Sequence, residues 1–196
     1  MRLLAVSKTK PASAVREAYQ AGQRDFGENY VQELVAKAKE LSDLAVSWAL
    51  VGHLQTNKAK QVAELGAACH TLDDERVVRE LGKRARALGR TLPVLIEVNV
   101  GGEAQKHGVA PEGAARLVAL AREEPGLSLR GLMTVPPHTE DPEGARPYFA
   151  RLRALADEIG REILPELSMG MSHDLEQAIL EGATLVRVGT AIFGAR

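Results

Sequence analysis

Eight short apolar runs alternate with amphipathic helical patterns along the 196 residues, and no two runs meet across a hairpin turn signal. Strands joined through helices rather than tight turns must lie parallel, with helices covering the sheet. Eight repeats is the number that closes such a sheet into a (β/α)8 barrel. An open doubly wound sheet is the alternative, but nothing about it selects eight. No linker, low-complexity stretch or charge run divides the chain, so residues 1–196 are expected to form a single α/β domain of the TIM-barrel type. Barrels typically take about 250 residues, so the loops here must be short. Too few residues follow the eighth run for a full outer helix, and the first and eighth strands must pair to close the ring.

The expected strands are Leu3–Val6, Asp25–Gly27 (the weakest), Val46–Val51, Ala67–Leu72, Leu92–Val100, Leu127–Val135, Leu167–Met169 and Thr184–Val188. Between them, Pro11 opens a helix that Gly22 ends. Val31, Leu34, Val35 and Ala38 share one face of the next helix. Thr56 or Asn57 is expected to cap the third, and Asp73 or Asp74 the fourth. Helices at Pro111, Gly144–Leu164 and His173–Glu181 complete the set, and Tyr19, Trp48, Tyr148 and Phe149 read as packing residues.

Composition excludes several classes. With 25 basic and 26 acidic residues, the net charge of −1 gives no electrostatic case for nucleic acid or an anionic membrane. No run approaches the roughly 18 apolar residues of a membrane span, and no signal peptide is evident. The single cysteine, Cys69, excludes an internal disulfide framework and reads as a small buried hydrophobe, which predicts a reduced, cytoplasmic protein. The five histidines, His53, His70, His107, His138 and His173, show no metal-ligand spacing and read as loop or capping residues.

Chemistry is expected at the carboxyl ends of the strands. Lys8 stands where the first buried strand emerges, and partial desolvation there would lower its pKa and free its amine to attack a carbonyl. Lys10, two residues on, is its rival; Lys8 is nearer the strand. After the seventh strand, Ser168-Met169-Gly170-Met171-Ser172 offers two hydroxyls around a glycine, and after the eighth, Gly189-Thr190 opens a turn with free N–H groups. Ser172 and Thr190 could each be a plain helix cap, but their joint placement suits a phosphate. A lysine on strand one and a phosphate cup on strands seven and eight are neighbours around a closed barrel. A ligand bearing both an aldehyde and a phosphate satisfies both, and pyridoxal 5′-phosphate (PLP) is such a ligand. By strand parity Arg187 points the same way as Gly189. At the pyridine nitrogen its guanidinium would leave the ring unprotonated and a poor electron sink; otherwise it is an interior arginine paired to a carboxylate.

The segments LLAVSKTKP, FGENYVQE, VGHLQTNK, GLMTV, LSMGMSHD and VRVGTAIFGAR span the whole chain in order. Together they resemble the PLP homeostasis protein family, which is similar to the N-terminal barrel domain of alanine racemase. The resemblance implies PLP held as an internal aldimine on Lys8, its phosphate at Ser168, Gly170, Gly189 and Thr190, Arg187 at the ring nitrogen and Asn29 near the ring. His53 and Met133 lie on matched segments. It implies a protein that binds, carries or buffers the cofactor for PLP-dependent client enzymes, without robust catalysis. The family usually carries a helix of some 25 to 30 residues before the first strand, which this sequence does not show. The rival readings are an amino-acid racemase, which needs a second acid–base group of the kind alanine racemase takes from an additional domain, and a phosphosugar barrel, which has no use for Lys8.

Overall fold

In a computed structural model, residues 1–194 are described; Ala195 and Arg196, the end of the last motif, lie outside the described residues. The strands are β1 (Arg2–Val6), β2 (Asp25–Glu28), β3 (Ser47–Leu50), β4 (Ala68–Leu72), β5 (Leu92–Glu97), β6 (Leu127–Met133), β7 (Glu166–Ser168) and β8 (Leu185–Val188). They form a closed barrel in sequence order, all parallel, with Leu4 of β1 in register with Arg187 of β8. The helices are α1 (Ala12–Gln20), α2 (Val31–Glu40), α3 (Ala59–Leu65), α4 (Glu75–Ala87), α5 (Pro111–Glu123), α6 (Arg146–Ile159), α7 (Leu175–Leu180) and α8 (Thr190–Phe193). α8 is a single turn.

Each strand is covered on both faces, which is why the runs are continuously apolar rather than alternating. Leu4, Ala49 and Leu185 pack inside the barrel with Val51 and Ala68. Val186 and Val188 of β8 face outward and join Phe149 and Leu152 of α6 in the main layer between barrel and helices. Phe26 meets Trp48 in a tilted ring contact at 6.1 Å, beside Val15 and Leu41.

Local chemistry sets most helix ends. Pro11 precedes α1 in extended conformation, Pro111 opens α5, and Gly66 ends α3 in the left-handed region. Asp74, not Asp73, caps α4 by accepting the Arg76 N–H at 2.8 Å. The expected cap at Thr56 or Asn57 is absent: a 3₁₀ turn over Thr56–Lys58 leads into α3 without a side-chain cap bond. The face of α2 is also turned from expectation. It buries Val31, Leu34 and Lys37, while Val35 and Ala38 are half-buried.

Candidate functional site

At the carboxyl end of the barrel a cavity of about 520 Å³ is lined by Val6, Lys8, Asn29, Val51, Val135, Met171, Ser172, His173, Arg187, Gly189 and Thr190. Barrel closure makes these residues neighbours. Lys8 follows β1, the Gly189-Thr190 turn follows β8, and β1 pairs with β8 over Arg2–Ala5 and Leu185–Val188. A Cβ on Gly189 would lie 3.2 Å from the Val6 carbonyl oxygen, so the absent side chain lets the two strand ends approach.

The loop that carries Lys8 is pinned from below. Ser7 donates to Glu28 Oε1 at 2.5 Å. Lys37 Nζ donates to the same oxygen at 2.7 Å, to the Ser7 carbonyl at 2.7 Å and to Glu33 at 3.3 Å. Glu33 in turn accepts the Thr9 N–H at 2.8 Å, holding Thr9 at φ +64°. Burial pushes the Glu28 carboxyl above its usual range against the pull of Lys37 and Ser7. Burial would also raise Glu33, but the Thr9 N–H and Lys37 outweigh it and hold that carboxyl low.

On the neighbouring strand β8, Arg187 is buried at the top of the interior. Its Nη1 donates to the Ser168 carbonyl and hydroxyl oxygens, each at 2.8 Å, and Nη2 to the Thr134 carbonyl at 2.8 Å. These bonds engage three of the five guanidinium donors. Burial lowers its pKa to about 10, with Glu97 and Asp174 acting the other way. Glu97, at the end of β5, is raised to about 7, first by burial and then by the charge of Asp73, with Arg187 opposing.

Lys8, Asn29, Ser172, Arg187, Gly189 and Thr190 therefore meet at one cavity. The Ser172 hydroxyl accepts the Ala191 N–H at 3.5 Å, across the β7 and β8 loops. Gly170 stands just behind the wall at φ +89°, where a Cβ would come within 2.5 Å of that of Ala178; its carbonyl accepts the Arg187 N–H. Ser168 and Met133 are fully buried beneath the cavity rather than on its wall, and the Ser168 hydroxyl is occupied by Arg187. His53 belongs to an adjoining depression that shares Asn29, Val51 and Val135 with the cavity. Gly52 lets the backbones of those loops meet: a Cβ there would fall 2.0 Å from the Asn29 carbonyl oxygen.

Sequence reasoning missed the apolar wall and the Glu28–Lys37 network. Val6, Val51 and Val135 end or directly follow strands of the barrel, a position that should have marked them for the mouth. It also missed the convergence of His53, Asp73 and His107, which sequence spacing cannot reveal because they come from three different loops. A second depression, at the amino end of the barrel, contains Arg2 between two acids, Asp25 at 3.6 Å and Glu166 at 3.5 Å.

The alanine racemase N-terminal domain family matches residues 1–196. The PLP homeostasis protein of Pseudomonas aeruginosa is 50% identical over 194 residues, covering 99% of this chain and 84% of its relative. That of Aquifex aeolicus is 49% identical over 198 residues, covering 100% and 87%. Among solved structures, PipY of Synechococcus elongatus with PLP bound superposes with a TM-score of 0.90 at 38% identity, covering 99% of this chain and 92% of that one. On this similarity along its whole length, the chain belongs to the PLP homeostasis protein family, on the barrel of the alanine racemase N-terminal domain.

Proposed function

We propose that this protein binds PLP at the carboxyl end of its barrel and holds it for delivery to PLP-dependent enzymes of the cytoplasm. The observation that carries this reading is the donor set of one cavity: a primary amine on the β1 side and two hydroxyls with a backbone turn on the β7–β8 side. A volume of about 520 Å³ lies within the roughly 300–1,000 Å³ usual for small-molecule sites. Relatives of 49–50% identity bear the name PLP homeostasis protein, and PipY has been solved with PLP bound.

When bound, the cofactor supplies an aldehyde, a phosphate and a pyridine ring. Lys8 offers the amine that meets the aldehyde. Ser172, Thr190 and the turn at Gly189 orient the phosphate, with Gly170 shaping the loop behind it. Arg187 would face the ring nitrogen. A guanidinium has no oxygen with which to hold a proton on that atom, which would disfavour carbanion chemistry. Asn29 would flank the ring, with His53 in the adjoining depression. Ser168 and Met133 act from beneath, Ser168 by fixing the guanidinium. Val6, Val51 and Val135 exclude water from one side.

Among the described residues no helix is long and apolar enough to cross a membrane. Racemization would need a second acid–base group opposite Lys8. Two measurements on PLP-loaded protein test the reading. Mixed with a PLP-requiring apoenzyme, it should restore that enzyme's activity; with enantiopure amino acids it should show no enzyme-like turnover. Racemization at ordinary enzymatic rates, or a failure to take up PLP at all, would contradict it.

A further inference from the structure

His53, Asp73 and His107 come from the loops after β3, β4 and β5 and converge at the barrel mouth, with one possible ligand atom from each within 4.8 Å of the others. Asp73 Oδ2 lies 3.4 Å from His53 Nδ1 and 3.8 Å from His107 Nδ1. Ligands bound at about 2.1 Å around a tetrahedral ion stand about 3.4 Å apart, so these spacings match the edge of a coordination shell while also being those of loose ion pairs. We propose that these three side chains form a site for a divalent transition ion of the zinc type, with the remaining position open to water.

Two further features favour a cation. The Asp73 side chain is only 10% exposed, yet its Oδ1 is buried with no hydrogen-bond partner among the described residues. An acceptor left in that state costs stability unless something satisfies it. Asp73 is available because Asp74 caps α4; beyond the imidazoles, its one hydrogen bond among the described residues is a 3.3 Å N–H donation from Gly108 to Oδ2. The two imidazole rings are stacked at 3.8 Å and 9°, with both Nδ1 atoms near the same carboxylate. Their planes must splay for both lone pairs to aim at one ion. Their exposure, 33% and 58%, leaves room to do so. Two imidazoles with one carboxylate suit zinc, cobalt or nickel and not the all-oxygen preference of magnesium.

The site adjoins the cofactor cavity through Asn29, Val51 and Val135 but shares no proposed ligand with its amine or its anion cradle, so the two can be tested separately. The experiment is calorimetric titration of the full-length, tag-free chain, stripped of metal in phosphate-free buffer, with Zn²⁺, alongside Co²⁺ titration followed by its visible ligand-field bands. One Zn²⁺ should bind per chain, Co²⁺ should develop the intense bands of low coordination, and Mg²⁺ should give no heat. His107→Ala, on an exposed side chain, should weaken Zn²⁺ binding beyond the roughly 10–100-fold lost when an outer-shell partner is removed. Asp73→Asn should do the same. No Zn²⁺ binding, or binding that His107→Ala leaves unchanged, would overturn the assignment. PLP uptake by the His107→Ala protein serves as the check that its barrel is intact.

Discussion

The carboxylate of Glu33 accepts the backbone N–H of Thr9 at 2.8 Å, so the first turn of α2 fixes the residue that follows Lys8. Thr9 lies at φ +64°, a left-handed conformation that costs an L-residue roughly 1–2 kcal/mol. The bond offsets part of that cost. Glu33→Ala is expected to lower stability by about 1 kcal/mol and to slow borohydride capture of PLP at Lys8. Glu33→Gln keeps an acceptor and should retain most of both. Urea midpoints measured beside capture rates check this, and equal capture rates in all three proteins would detach the loop from the bond.

Lys37 and Glu28 are paired at 2.7 Å with side-chain exposures of 9% and 0%. Removing one member of a buried pair strands the other, at a cost of about 3–5 kcal/mol. Lys37→Met should therefore be strongly destabilizing, and Glu28→Gln added to it should recover a substantial part. A double-mutant cycle in urea provides the measurement; additive losses would show that the two residues do not act together.

The barrel was legible because its evidence is local and repeated: continuous apolar runs, prolines at helix starts and a stop at Gly66. Lys8, Ser172 and Thr190 were legible because strand ends in this architecture share one face. Lys37 was not, since a lysine within an amphipathic helix reads as solvent-facing. Only the fold reveals that Glu28, Glu33 and the Ser7 carbonyl surround it. Ser168 misled for a related reason. Its hydroxyl lies next in sequence to the Gly170–Ser172 loop, but strand β7 turns it beneath the cavity toward Arg187.

Glu97 gives the unliganded protein a distinct pH response. Its pKa is raised to about 7 from 4.5, so its contribution to stability is complete below about pH 4.5 and is lost as pH rises through 7. The loss over the whole range is on the order of 3 kcal/mol. His70 acts oppositely: burial lowers its pKa to about 3, so stability present above its unfolded value falls with acid. Comparison with Glu97→Gln cancels the His70 contribution. The variant should gain about 2 kcal/mol relative to the parent between pH 5 and pH 8. A constant difference in unfolding free energy across that range would show that Glu97 is not held in its neutral form.

Ser172 and Thr190 line the cavity from the β7 and β8 loops. A hydrogen bond to a charged group contributes about 1.5–3 kcal/mol, so Ser172→Ala and Thr190→Ala should each weaken PLP binding about 10–100-fold. Affinity for pyridoxal, which lacks the phosphate, should change little. Equal losses for both ligands would place the phosphate elsewhere.

Lys8 and the Gly189-Thr190 turn meet at one cavity only because β1 closes against β8. Borohydride reduction of the PLP-loaded protein, followed by peptide mass mapping, tests whether they share one ligand. The phosphopyridoxyl group should be found on Lys8 and be lost in Lys8→Ala, while Thr190→Ala should raise the PLP concentration needed for half-maximal labelling without moving its position. Labelling confined to Lys10 or to another lysine, or a Lys8→Ala protein with unaltered labelling, would contradict it.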